Sequence, residues 1–242
     1  MTTDLRVISW NVHYPSFARD SQYCIDALEA LGPFDVICLQ EYVSGADSKL
    51  IDWLTGKGYQ VAYMPFAHNL GYSQGVMTAV RPGLFASPVP KILREDGPRR
   101  FRPFYNVRGL MSTTIKVGAS EVSINNVHLT YPRQHTIDMR RREFVSLQAF
   151  LKALSAQGPW LLCGDFNFIG LDKRRKYLKA NYQHFTGDFW HKTWSHKGKF
   201  SPIRANLDYA FWDTGSKQMV TSTRLELVKG SDHHPIIMQV TL

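Results

Sequence analysis

The chain has 242 residues, 44% apolar and 13% aromatic, with 29 Lys and Arg against 20 Asp and Glu, a formal net charge of +9. That balance excludes a disordered or fibrous chain, and no apolar run approaches the roughly 20 residues a membrane-crossing helix requires. The three dispersed cysteines, Cys24, Cys38 and Cys163, have no disulfide-framework or zinc spacing and fit buried structural thiols.

The length suits one α/β domain over residues 1–242 with one well-buried core. The polar start, Met1 to Arg6, lacks the apolar stretch of a cleavable leader, so a cytoplasmic protein is expected. The positive charge favours a polyanionic partner, nucleic acid or an anionic surface, although basic soluble enzymes are common.

In chain order, residues 6–10 form a strand, and 21–31 a helix with Ile25, Leu28 and Leu31 on one face. Gly32-Pro33 ends that helix, and 35–40 is a wholly apolar, buried strand. A short helix over 47–56 spaces Leu50, Ile51 and Leu54 for a core face. Strands follow at 59–64, 75–80, 109–117 and 121–129, the last two joined by a Gly118-Ala119-Ser120 hairpin. Phe144, Leu147, Leu151 and Leu154 recur at helical spacing and predict the longest helix, 138–156. Strands at 160–163, 207–212, 224–228 and 236–240 complete the set. Many strands and few crossover helices predict two mixed sheets packed face to face with helices outside, not a doubly wound parallel sheet.

Apolar runs end repeatedly in carboxylate, carboxamide or imidazole: Ser9-Trp10-Asn11, Leu39-Gln40-Glu41, Asn126-Val127-His128-Leu129, Gly164-Asp165-Phe166-Asn167, Asn206-Leu207-Asp208-Tyr209 and Ser231-Asp232-His233-His234-Pro235. Arg108 precedes the third. Buried strands would deliver these side chains to one sheet edge. Oxygen ligands suit a hard cation such as Mg2+ or Mn2+, while His and Asn can hold a phosphate, which predicts a metal-assisted phosphoester hydrolase. An ionised Glu41 directly after a buried strand needs a partner, either a metal or an arginine. Asp165 and Asn167, two apart on an extended segment, would share a face toward one phosphate; a tight turn is the alternative. Asn11 taken singly would cap a turn.

Gly-Asp-Phe-Asn, then Asp-Tyr, then Ser-Asp-His-x-Pro, in that order, resembles the endonuclease/exonuclease/phosphatase superfamily typified by DNase I and exonuclease III. The resemblance runs from Trp10 to Pro235. It implies a four-layer α/β sandwich with the site at one end of two sheets. It also implies Glu41 as principal metal ligand, with Asn11 in the metal and phosphate network. Asp165 would orient or deprotonate the attacking water, and Asn167 would steady the transition state. Asp208 would pair with His233 at the scissile phosphate, Asp232 would belong to the same network, and His128 would donate to phosphate. Either Asp165 or His233 could be the general base. His128, where abasic-site endonucleases carry Tyr, and His13, where they carry Asp, argue against a dedicated abasic-site enzyme. His234 fits an outward neighbour, and Arg108 a phosphate contact or a salt bridge.

Cations interleaved with aromatic rings flank these motifs: Arg99 to Tyr105, Arg133 with Arg140-Arg141-Arg142, Lys173 to Lys176, and Trp190 to Phe200. Such loops can neutralise phosphates while stacking bases, with Arg133, Arg174, Arg175 and Trp194 as candidate substrate contacts. The expected function is a Mg2+- or Mn2+-dependent phosphodiesterase acting on DNA or RNA. Inositol phosphates and sphingomyelin-type lipids are the alternatives, and stable membrane insertion is not expected. An inert binding protein of this fold would have lost Glu41, Asp165, Asn167 or His233, and all four are present.

Overall fold

The computed structural model describes residues 4–45, 48–69, 72–96, 106–131, 136–186, 193–197, 202–213, 219–225 and 228–242. The chain begins with β1 (Asp4–Asn11), α1 (Tyr14–Phe17), α2 (Gln22–Leu31), β2 (Val36–Ser44) and α3 (Lys49–Gly56). It continues through β3 (Gln60–Asn69), β4 (Tyr72–Val80), β5 (Phe85–Asp96), β6 (Asn106–Val117) and β7 (Ser120–His128). Then come α4 (Ile137–Ser155), β8 (Trp160–Asp165), α5 (Lys173–Asn181), β9 (Gln183–Phe185), β10 (Trp194–Lys197) and β11 (Pro202–Ala205). Last are β12 (Asp208–Trp212), β13 (Met219–Leu225) and β14 (Ile236–Thr241).

Alternation along the strands builds the layers, because successive side chains of a strand point to opposite faces. In β1, Leu5 and Val7 enter a cluster between the two sheets, while Ile8 and Trp10 face the helices outside. In β2, Val36 and Cys38 go inward and Ile37 and Leu39 outward. In β8, Leu161 and Cys163 go inward while Trp160 and Leu162 meet Phe144, Leu147 and Leu151 of α4. On the opposite face, Ile25 and Leu28 of α2 and Leu50 and Leu54 of α3 cover β1 and β2. The result is α/β/β/α, the four-layer sandwich expected from the motifs. Each fully buried aliphatic side chain contributes about 1.5–3 kcal/mol, and strands buried on both faces carry most of it.

One sheet runs β13-β14-β1-β2-β4-β3 and the other β6-β7-β8-β12-β9, with β5 on β6. They are not wholly separate: a single pairing, Ala67 with Asn106, joins β3 to β6 at one corner. β5 lies where the sequence reading placed no element, and α5 where it placed a basic loop. β5 holds Pro88 and Pro90, which cannot donate to a ladder and are tolerated here because β6 is its only extended partner among the described residues. In α5 only Arg174 and Leu178 are buried, too few to produce a visible apolar stripe. The strand expected over 224–228 lies at Met219–Leu225 instead, paired with β14 through a bulge. No helix among the described residues is long and apolar enough to cross a membrane.

Candidate active site

Strand direction gathers the polar motifs. β1 and β2 are parallel with Asn11 opposite Gln40, and β7 and β8 are parallel with His128 opposite Asp165. Their C-terminal ends therefore lie on one edge. Antiparallel β12 begins at that edge, Asp208 opposite Asp165, and antiparallel β14 also begins there, which brings the preceding Asp232 and His233 to it.

Two layers of side-chain bonds tie the sheets together. Deeper in, Gln40 Nε2 donates to Asn126 Oδ1 at 2.7 Å, and Asn126 Nδ2 donates to the Met77 and Leu39 carbonyls at 2.8 and 3.1 Å. At the edge, Asn11 Nδ2 donates to Asp165 Oδ2 at 2.9 Å and to Glu41 Oε1 at 3.3 Å. All but the half-buried Glu41 are buried, where hydrogen bonds are costly to leave unmade and so specify one register.

β2 does not end at Gln40 as the apolar run suggested. It continues to Ser44 through a bulge between Gln40 and Tyr42 that contains Glu41. Glu41 has φ 59°, His13 57° and Asn167 52°, and these are the only non-glycine residues with positive φ among the described residues. Such conformations are unfavourable for L-residues and collect at functional sites, where they re-aim a side chain. Glu41 Oε2 accepts the Tyr14 N–H at 2.7 Å, and the His13 N–H donates to Asn11 Oδ1 at 2.9 Å. Gly164, at φ 144°, lets β8 approach β7 beside Asp165: a Cβ there would stand 1.9 Å from the Val127 carbonyl oxygen.

Asp165 Oδ1 accepts the Asn167 N–H at 2.8 Å, and Asn167 Nδ2 donates to the Leu129 carbonyl at 3.0 Å. Asp165 and Asn167 are therefore joined by a tight turn, not by a shared face of extended chain. Burial, then the Asp208 and Glu41 carboxylates, push the Asp165 carboxyl up to about 8, against the opposing pull of His233 and the Asn167 N–H.

The two imidazoles differ in charge. His128 Nε2 lies 3.6 Å from Asp165 Oδ2 and 3.9 Å from Glu41 Oε1. Burial pushes its pKa down to about 4, with Arg108 and His233 adding to the effect and Glu41 opposing, so the ring is neutral. His233 Nδ1 lies 2.8 Å from Asp208 Oδ2. Burial disfavours its charge, but Asp208, Asp165 and Asp232 outweigh it and raise the pKa to about 10. Charged His233 donates Nδ1–H to Asp208 and leaves Nε2–H between Asp165 Oδ2 at 4.0 Å and Asp232 Oδ1 at 3.9 Å.

Two donor sets could hold a metal: Glu41, His128 and Asp165, and Asp165, Asp208 and His233, each with ligand atoms within 4.8 Å of one another. The first fits a divalent cation. It combines two carboxylates with a neutral imidazole, and a cation there would oppose the burial and the neighbouring carboxylates that raise Asp165.

A family model described as the Endonuclease/Exonuclease/phosphatase family matches residues 8–233. The chain belongs to this family. No curated protein matches the chain by sequence. Solved structures with the same fold include a truncated Caenorhabditis elegans TDP2, at TM-score 0.74 and 19% identity over 99% of this chain and 98% of that one. ANGEL2, described as a 2',3'-cyclic phosphatase, aligns at TM-score 0.73 and 14% identity over 100% and 96%. D. rerio TDP2 with a single-strand DNA product aligns at TM-score 0.67 and 16% identity over 98% and 99%. The activities in the family's name are hydrolyses of phosphoric esters, in keeping with a carboxylate–imidazole edge of this kind.

Other candidate residues of this endonuclease/exonuclease/phosphatase family protein stand around the cluster. Asp232 lies outside both donor sets. Its Oδ2 accepts Trp194 Nε1–H at 2.8 Å, and its buried Oδ1 accepts no hydrogen bond among the described residues. Arg108 is buried over the Phe66 ring at 5.4 Å, opposite Arg94 of β5. Arg174 and Arg175 bond to the turn after Asn167 and not to the carboxylates and imidazoles of the cluster. Arg174 Nη2 holds Asp172 at 2.7 Å, and Arg175 Nη2 donates to the Gly170 carbonyl at 2.5 Å. Arg133 lies outside the described residues, as do Arg99 to Tyr105 and Trp190 to Lys192.

Sequence reasoning missed the groups that aim these side chains. Thr193 Oγ1 accepts the Leu207 and Asp208 N–H groups at 2.9 and 3.0 Å. Ser231 Oγ accepts the His233 N–H at 3.0 Å and donates to the Asn11 carbonyl at 2.7 Å. Trp10 Nε1–H donates to the His233 carbonyl at 3.1 Å. Ser231 and Trp10 lie within the motifs and could have been noted there, whereas nothing near Thr193 signals its part.

Proposed function

We propose that this chain is a Mg2+- or Mn2+-dependent phosphodiesterase acting on nucleic-acid strands. The observation that carries the reading is the placement of Asp165. It is a buried carboxylate held by Asn11 and the Asn167 N–H, with charged His233 on one side and the Glu41–His128 pair on the other. Glu41, with Asn11 beside it, would hold the cation, which when bound neutralises charge on the phosphoryl oxygens.

The chain's own groups account for the proton movements. Asp165 takes a proton from water as the water oxygen bonds to phosphorus, and its raised pKa lies near a neutral operating pH, as suits a general base. The bond from phosphorus to the leaving oxygen breaks, and that oxygen receives the Nε2 proton of His233. The products are a phosphomonoester and an alcohol. Asp208 holds the imidazole in the tautomer and orientation this requires, and neutral His128 donates to a non-bridging oxygen.

Nucleic acid as substrate is supported by the net charge of +9 and by the fold relatives, one holding a single-strand DNA product and another described as a 2',3'-cyclic phosphatase. The test is hydrolysis of end-labelled single- and double-stranded DNA and RNA, with Mg2+ and with EDTA, run beside Asp165→Ala. Metal-dependent cleavage absent from the variant is the expected result. Intact strands alongside hydrolysis of inositol polyphosphate or sphingomyelin would overturn the substrate assignment. Absence of all such hydrolysis would overturn the enzymatic one.

A further inference from the structure

The turn that follows Asn167 presents two aliphatic side chains to solvent. Phe168 points inward, 1% exposed, among Phe166, Tyr209 and Phe211. Ile169 is 45% exposed and Leu171 98%, with Gly170 between them in the left-handed region at φ 62°. The turn is clamped. Arg175 holds the Gly170 carbonyl, while Arg174 lies 5.2 Å over the Phe168 ring and holds Asp172, whose carboxylate caps α5. Ile169 and Leu171 are thus carried on a fixed turn, two and four residues beyond Asn167. Leu171, at 98% exposure, gives the fold no burial energy and is free to meet a ligand.

The surroundings are cationic. Lys173 and Lys176 are exposed on α5. Burial opposes it, but Arg174 and, from α4, Arg140 hold the Asp172 carboxyl below its usual range. An apolar tip in a cationic collar, on the turn that follows Asn167, complements a strand with anionic phosphates outside and apolar base faces within.

We propose that Ile169 and Leu171 are a wedge that inserts against the base next to the scissile phosphate and unstacks it, while Lys173 and Lys176 hold the flanking phosphates. This rests on the nucleic-acid reading above and deepens it: unpaired or fraying strands become the preferred substrates, because unstacking costs least there.

The test uses the full chain with Ile169→Ser and Leu171→Ser combined, and Leu171→Trp as a variant that keeps an apolar tip. With 2-aminopurine beside the cleavage position, in an Asp165→Asn background, binding should raise fluorescence for the native wedge and for Leu171→Trp. The double serine variant should give no rise. Its kcat/KM on the strand, relative to bis(4-nitrophenyl) phosphate, should fall about tenfold, the size of one lost base contact. Its melting temperature should stay within about 1 °C of the parent, since exposed positions carry little stability. Equal fluorescence and an unchanged ratio in the double variant would remove the wedge and leave the nuclease reading intact. No strand bound or cleaved by the parent would remove both. Sedimentation with phosphatidylserine vesicles that the double variant loses, at an unchanged cleavage ratio, would overturn the wedge in favour of a lipid surface.

Discussion

Asn11 and Asp165 are 154 residues apart and sit on different sheets, yet Asn11 Nδ2 donates to Asp165 Oδ2 at 2.9 Å. The carboxylate–imidazole edge exists only when the sheets pack in this register, because the Asp165 carboxylate draws one of its donors from the opposite sheet. Asn11→Ala should leave Asp165 short of a donor in a buried place, at a cost of about 1–3 kcal/mol, and reduce turnover. Chemical denaturation and steady-state kinetics check both. Unchanged stability and turnover would mean that the bond has no part in either.

Asp208→Asn keeps the size and an acceptor oxygen but removes the charge behind His233. The His233 pKa should drop well below about 10, and kcat should fall by about 10²–10⁴, the range for losing an oriented acid–base group. NMR titration of the imidazole reads the first and a pH–rate profile the second. The two should move together.

Without metal, stability should be level between about pH 4 and 6.5 and fall above that. Between about 4 and the ordinary histidine value of 6.5, buried neutral His128 makes the unfolded state bind the extra proton, so stability rises with pH. Over the same span Asp165, raised from 3.8 to about 8, makes the folded state bind more protons and offsets that gain. Above 6.5 the His128 contribution is complete. The fall from Asp165 continues to about 8, and His233, raised from 6.5 to about 10, loses its stabilising contribution up to that pH. Thermal melts in EDTA from pH 5 to 10 measure the curve, and Asp165→Asn should flatten its descent and be the more stable protein at pH 8.

Adding Mg2+ or Mn2+ should raise the melting temperature, because a cation bound by the folded state alone stabilises it by mass action. Glu41→Gln should lose most of that rise. An equal rise in both proteins would show the ion sitting elsewhere.

Gly164→Ala should be strongly destabilising, by about 4 kcal/mol or more, since its Cβ would fall 1.9 Å from the Val127 carbonyl oxygen at φ 144°. Melting temperature and soluble yield report this.

The buried strands β1, β2 and β8 were legible because each carries an apolar run (Val7-Ile8, Val36 to Leu39, Trp160 to Cys163) that leads into a motif's polar residues. α4 was legible from Phe144, Leu147, Leu151 and Leu154, all on its buried face. β5 was not: it is an edge strand with two prolines and outward Phe85, Val89 and Ile92, so neither alternation nor turn residues mark it. The strand extending past Gln40 was hidden too, because a bulge has no signature apart from the partner strand it is measured against.

The amino-acid order by itself determined the chemical inventory of the site: Glu41, His128, Asp165, Asp208 and His233, each tied to an apolar run. Strand periodicity is local, so those runs and their polar ends are written in the sequence. Only the tertiary structure decided that parallel pairing of β1 with β2 and β7 with β8 sets these ends on one edge. It also decided that Arg174 and Arg175 turn back to clamp a loop, leaving Ile169 and Leu171 outward. Pairing, burial and electrostatic shift are sums over neighbours distant in sequence, so His128 and His233, the same residue type, acquire opposite charge states only in the fold.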